Sequence, residues 1–188
     1  MWRNISDRIH RFSTGWATIA SLGIFLLFTA VVLPNQVSRS EAVTGDAASP
    51  DMSFYYTADE LYQLADSYGE EGREAYIRAR FTFDLLWPLV YGFFLSTAIS
   101  WTFRNAFSRE SKLQLANIVP ILGVLFDYLE NISTSIVMAR YPSPTAVLDG
   151  LASVFTMVKW IFVIASFTLL FAGMLVVISR RVGLSSRQ

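Results

Sequence analysis

Four long stretches of apolar residues divide the chain. The first is a charge-free run from Phe12 to Ser38, and the others begin near residues 81, 113 and 151. A helix needs about 20 apolar residues to cross the hydrocarbon core of a bilayer, and each run is long enough to do so. The pattern predicts an all-α fold, a four-transmembrane-helix bundle with helices near residues 14–36, 74–103, 113–139 and 149–179.

The segment between the first two runs, residues 37–73, predicts a long external loop. Its first part is rich in Ser, Ala, Gly and Asp and has no periodicity. Thr57 and Glu60 then have the spacing of a capping box, which starts a helix. Apolar residues follow at i, i+3, i+4 and i+7 from Leu61 to Tyr68. We expect a short amphipathic helix over residues 58–68, which either rests on the membrane surface or covers the end of the bundle as a lid.

Composition limits the class of protein further. Of the 188 residues, 53% are hydrophobic and 15% aromatic, with a mean hydropathy of +0.42. These values indicate a single integral membrane domain over residues 1–188. A formal net charge of zero gives no reason to expect nucleic acid as a partner. The chain has no cysteine, which excludes disulfides, thiolate metal sites and cysteine redox chemistry.

The positive charges predict how the chain is oriented. Nine Lys and Arg residues lie in the two termini and in the segment after the second run, whereas five lie in the long loop, at the start of the second helix and in the turn after the third run. Cytoplasmic segments of membrane proteins carry an excess of Lys and Arg. We therefore expect a plasma-membrane protein that has both termini in the cytoplasm and its long first loop outside.

Charged and polar side chains interrupt the third run. Asp127, Glu130 and Asn131 fall on one stripe of a helix, together with Thr134. A charged side chain at the bilayer centre costs roughly 2.5–3.5 kcal/mol, so such residues usually face a protein interior, a cavity or a partner. This stripe predicts a polar site between helices.

Two further charges fall in the same half of the membrane. With the predicted topology, Asp84 of the second helix and Lys159 of the fourth lie at the depth of the acids of the third helix. Three carboxyl groups against one ammonium leave an excess of two negative charges. Therefore a carboxyl holds a proton, Arg78 or Arg80 reaches in, or a cation binds.

Each polar residue of this region has a candidate role. The residues that we expect to transfer a proton or balance charge are Asp84, Asp127, Glu130 and Lys159. The residues that we expect to contact a ligand are Trp87, Tyr91, Tyr128, Asn131, Thr134 and Thr156. If a hard cation binds, its oxygen ligands would be Asp84, Asp127 and Glu130. No motif indicates a cofactor.

Three classes of function remain open. The first is binding of a small amphiphile or a lipid head group, with proton transfer to the ligand as an enzymatic variant. The second is a small carrier coupled to protons or cations. The third is a structural or accessory subunit in which the polar residues only hold the helices in register. Membrane lipids are expected partners in each case. A zinc hydrolase is disfavoured because the single histidine, His10, lies on the terminus.

Overall fold

The computed structural model describes residues 2–45 and 49–185, and these residues are helical with no strands. The α-helices are α1 (Trp2–Phe12), α2 (Gly15–Leu27), α3 (Leu33–Thr44), α4 (Ala58–Ser67), α5 (Gly69–Arg80), α6 (Phe83–Ala106), α7 (Val119–Arg140) and α8 (Leu148–Ser185). A π-helical segment, Phe28–Val32, joins α2 to α3, and short 3-10 helices lie at Pro50–Met52 and Lys112–Ile118.

Four helical stretches are long and apolar enough to cross a membrane. They are Gly15–Thr44, Gly69–Ala106, Lys112–Arg140 and Leu148–Val182. The predicted all-α bundle of four spans, with a short amphipathic helix in the first loop, is thus confirmed. We name the two ends of the bundle by the helices that lie there, the α1 end and the α4 end.

The first span is longer than predicted. Helix continues to Thr44, so the prediction that the loop begins at residue 37 was wrong. Pro34 does not stop the helix, because it lies in the first turn of α3, where no backbone N–H is needed. The turn before α3 is π-helical, with backbone hydrogen bonds between residues i and i+5. The helix thus continues past Pro34, which has no N–H to donate.

The second span was predicted as one helix over residues 74–103, and this was also wrong. Phe81 and Thr82 leave the helical conformation and separate α5 from α6. The Thr82 hydroxyl donates a hydrogen bond to the carbonyl of Arg78 at 2.7 Å, which helps to close the end of α5. The helix is uninterrupted at Pro88. The break therefore lies directly between Arg80 and Asp84.

Helix α4 covers the α4 end of the bundle. Thr57 and Glu60 form the predicted capping box, and their hydrogen bonds hold the pKa of Glu60 below its usual value. Leu61 and Ala65 are buried in a cluster with Val137 of α7 and Ala152 of α8. The apolar face of α4 thus packs on the bundle, as the lid interpretation expected.

Polar contacts add to this packing. The Tyr62 hydroxyl accepts a hydrogen bond from the backbone amide of Thr145 at 2.7 Å and donates to Asp149 at 3.2 Å. The Tyr141 hydroxyl donates to Asp66 at 2.6 Å. These bonds join α4 to the turn between α7 and α8.

Glycines allow close approach between the spans. A Cβ atom added at Gly92 of α6 would lie 2.4 Å from Cγ2 of Val124 on α7. A Cβ atom at Gly173 of α8 would lie 2.8 Å from side-chain atoms of Phe103 and Thr102 on α6. Small residues commonly let transmembrane helices pack closely. Helix α6 is thus held against both α7 and α8 at positions that a larger residue would disturb.

We expect Gly92→Ala to lower the free energy of unfolding by about 1–3 kcal/mol, the usual cost of overpacking. Val124 is β-branched and has one strongly preferred rotamer in a helix, so it cannot readily move aside. Thermal denaturation in detergent measures the effect, and Val124→Ala in the same chain should restore stability. Gly23→Ala is the matched control, because nothing lies within 4 Å of a Cβ atom there. Equal stability of the Gly92 and Gly23 variants would contradict the prediction.

Candidate polar site inside the helix bundle

A buried ion pair joins α7 to α8. Nζ of Lys159 lies 2.5 Å from Oε2 of Glu130, and the two side chains are only 7% and 1% exposed. Nζ also lies 5.4 Å from the ring centroid of Trp160. Both charges lie where water cannot screen them, so their mutual attraction is strong and the loss of either partner is costly.

A second buried ion pair involves Arg80, at the end of α5. Its Nη1 atom lies 3.0 Å from Oδ2 of Asp84 on α6 and donates a longer hydrogen bond, 3.4 Å, to Oδ1 of Asn131 on α7. Nη2 donates to Oγ of Ser49 at 2.9 Å. The guanidinium also lies over the ring of Tyr76, 4.4 Å from its centroid. Arg80 therefore connects the first loop to two spans.

Asp127 extends this network toward the middle of α6. Its carboxylate accepts hydrogen bonds from the Tyr91 hydroxyl and from Nδ2 of Asn131, both at 3.0 Å. Asn131 is the link, since its oxygen faces Arg80 while its nitrogen faces Asp127. We call the set Arg80, Asp84, Tyr91, Asp127, Glu130, Asn131 and Lys159 the acidic network; all seven residues are buried.

Arg80 is the last residue of α5, and the backbone break at Phe81 and Thr82 follows it directly. Helix α5 packs against α7, and Arg80 contacts both Asp84 of α6 and Asn131 of α7. Sequence analysis named Arg78 and Arg80 as alternatives, and Arg80 is the buried one while Arg78 is exposed. The i, i+4 spacing of Arg80 and Asp84 was the available signal for their pairing.

Four of the expected ligand contacts are engaged elsewhere. Trp87 stacks with Phe25 and Phe83, at centroid distances of 5.8 and 6.4 Å. The Tyr128 hydroxyl donates to the carbonyl of Leu85 at 2.8 Å. Thr134 and Thr156 donate to carbonyls of their own helices, at 2.9 and 3.0 Å. Of the expected ligand contacts, Tyr91 and Asn131 belong to the acidic network.

The three acids do not share a metal site. Within residues 2–45 and 49–185, no group of three His, Cys, Asp or Glu side chains is placed to hold a metal ion. Asp84 and Glu130 each lie against a cationic side chain instead. A hard cation that used Asp84, Asp127 and Glu130 together would therefore require these ion pairs to open.

The charges of the acidic network do not balance. It contains three carboxyl groups, Asp84, Asp127 and Glu130, and two cations, Arg80 and Lys159. One negative charge is in excess if all of these groups ionise. The excess would be two if Lys159 were the only cation counted. A buried carboxyl group with a like charge nearby favours its protonated form.

We expect Lys159→Met to lower the free energy of unfolding by about 3–5 kcal/mol, because it leaves the carboxylate of Glu130 buried without its cation. Adding Glu130→Gln should recover part of this loss, with a coupling energy of about 0.5–3 kcal/mol. Denaturation in detergent micelles gives the values for the four members of the cycle. Lys112→Met, at an exposed position, is the control for loss of a lysine. If Lys159→Met were as stable as Lys112→Met, the ion pair would not be a stabilising contact.

No protein-family model matches the chain, and no match is found among curated proteins or among solved structures.

Proposed function

We propose that the protein binds a small amphiphile, or the head group of a lipid, at the acidic network, where a carboxyl group holds or accepts a proton. The observation that carries the proposal is the charge imbalance, three buried carboxyl groups against two cations. A network that only fixes helix register needs no third acid. Ionisable residues buried within membrane-spanning helices commonly mark functional sites.

The excess charge determines which ligands suit the site. A net negative charge in the low-dielectric interior is costly, so the site favours either a proton or a cationic group. Asp127 and Glu130 lie at i, i+3 on α7, where like charges repel. A proton on one carboxyl group removes this repulsion, and an ammonium head group that takes the place of the proton would offset it. An acid in the same position can also transfer a proton to the ligand.

The α4 end is the proposed route of entry. Arg80 reaches Ser49 in the first loop at 2.9 Å, so the network extends to the segment that precedes α4. Tyr56, in the same loop, lies 3.2 Å from the hydroxyl of Thr156 on α8. A ligand from this side would first meet α4 and these loop residues. With both termini in the cytoplasm of a plasma-membrane protein, this entrance would be extracellular.

Two other functions would give different results when the same residues are substituted. A carrier coupled to protons or cations would use the excess carboxyl group as its coupling site, so its substitution would abolish pH-dependent flux into vesicles. A structural subunit would need only the two ion pairs, Lys159 with Glu130 and Arg80 with Asp84. Neutralising Asp127 would then change neither binding nor flux.

We expect Asp127→Asn to weaken binding of a cationic amphiphile by about tenfold or more, because an interaction with a charged group contributes about 1.5–3 kcal/mol. Dodecyltrimethylammonium is the probe and uncharged dodecyl maltoside its reference, with binding measured by calorimetry on protein in nanodiscs. Glu130→Gln should act in the same direction.

Asp59→Asn is the control for this experiment, since Asp59 is an exposed acid on α4. A folded Asp127→Asn protein that binds the ammonium probe like the Asp59 variant would overturn the proposal. The same variants in sealed vesicles separate binding from transport. Loss of pH-dependent flux in the Asp127 variant alone would favour the carrier.

We expect a reporter fused at Arg109 to give a cytoplasmic signal and one inserted at Pro144 to give an external signal. The reason is the excess of Lys and Arg on the side of the termini. Paired reporters that are active on only one side of the membrane make the measurement. An external signal at Arg109 would invert the orientation and turn the entrance of the acidic network toward the cytoplasm.

A further inference from the structure

A large apolar cavity lies on the other face of α6, away from the acidic network. It has a volume of about 810 Å³ and is lined by α1, α2, α6 and α7. Its walls are almost entirely apolar, and Leu86, Leu89 and Phe93 at its edge are each more than half exposed. Ligand cavities in proteins usually measure about 300–1,000 Å³. The cavity is therefore large enough for part of a lipid and open to the region where lipids lie.

The length of the cavity corresponds to one leaflet. Its lining on α6 extends from Leu86 to Thr97, which at 1.5 Å per residue is about 16 Å. Half of the hydrocarbon core of a bilayer is about 15 Å thick. The cavity is thus about as long as an extended acyl chain in one leaflet, and one acyl chain of a lipid would fill it lengthwise.

One polar group inside the cavity has no protein partner. Ser96 is 6% exposed and lines the cavity, and its Oγ atom has no hydrogen-bond partner among the described residues. Its neighbours Ser21 and Thr97, by contrast, lie within hydrogen-bond distance of each other, at 3.0 Å. A buried hydroxyl without a partner is costly. An ester carbonyl of a lipid would accept the hydrogen bond that Ser96 can donate.

The α1 end of the cavity carries positive charge. Ile5, Ile9 and Phe12 of α1 line the cavity, and Arg8 lies among them. On the opposite face of α1 a smaller cavity of about 350 Å³ is lined by three further arginines, Arg11, Arg104 and Arg109, and by one acid, Asp7. An amphipathic helix of this kind suits the interface of a membrane. The charge at this end is complementary to a lipid phosphate.

Helix α1 is held firmly against the bundle. Arg104 donates hydrogen bonds to the carbonyls of His10 and Ser13, both at 2.8 Å. The Ser6 hydroxyl donates to the carbonyl of Gln114 at 3.1 Å. These bonds fix α1 across the end of the cavity, so Arg8 is presented at a defined position and not on a loose terminus.

We propose that this cavity binds an anionic phospholipid. One acyl chain lies along α6 from Thr97 toward Leu86, Ser96 donates to the ester carbonyl, and the phosphate lies at Arg8. The site differs from the acidic network in position, since it lies on another face of α6. It also differs in charge, since it is cationic and the network is anionic. The two proposals are therefore independent.

Native mass spectrometry of the delipidated, folded protein tests the proposal, with phosphatidylglycerol and phosphatidylcholine of the same acyl chains as probes. We expect the wild-type chain to bind one phosphatidylglycerol molecule about fivefold more tightly than phosphatidylcholine, the contribution of one arginine near a lipid phosphate. Arg8→Gln should remove this preference. Arg3→Gln, which makes the same charge change on the other face of α1, should keep it.

Two more measurements locate the lipid. Ser96→Ala should weaken binding of both lipids equally, since both carry the ester carbonyl, without lowering the melting temperature of the lipid-free protein. Phosphatidylglycerol with a photoreactive group on its acyl chain should cross-link to the segment 86–97. Equal binding of the two lipids by the wild-type chain, equal effects of Arg8→Gln and Arg3→Gln, or cross-links confined to other surfaces would each overturn the proposal.

Discussion

Compensation of buried charge is the constraint on which this structure depends. Lipid supplies no water to solvate a carboxylate or an ammonium, so each charge within the bundle needs a partner on a neighbouring element. Lys159 and Glu130 join α8 to α7 in this way, and Arg80 and Asp84 join α5 to α6. Asn131 connects Arg80 to Asp127, so the pairs also fix the depth and rotation of α7.

The same constraint holds where the helix is interrupted between α5 and α6. Helix α5 ends at Arg80, and across the turn at Phe81 and Thr82 this residue pairs with Asp84. The Arg80 side chain is 8% exposed, and it also lies over the ring of Tyr76. Its positive charge is thereby stabilised by contacts with a carboxylate, an amide, a hydroxyl and an aromatic ring.

The two ends of the bundle have different chemistry. The α4 end holds acids, tyrosines and a covering helix, and the buried charges of the acidic network sum to an excess of one carboxylate. The α1 end holds an apolar cavity lined by one arginine, Arg8, and by one buried hydroxyl, that of Ser96, without a protein partner among the described residues. An anionic site and a cationic site on different faces of α6 suit ligands of opposite charge, which is why we assign them separate roles.

The sequence by itself determined the four spans and the start of α4, because run length and the capping box of Thr57 and Glu60 are local properties. It also predicted that Asp84, Asp127, Glu130 and Lys159 lie at one depth, since depth follows from distance along a helix. Tertiary structure decided that Arg80 is the added cation and that Trp87 packs against Phe25. It also decided that a cavity lies beside Ser96. The physical reason is that positions facing lipid and positions facing protein are both apolar in a membrane helix, so the pattern does not specify which faces meet.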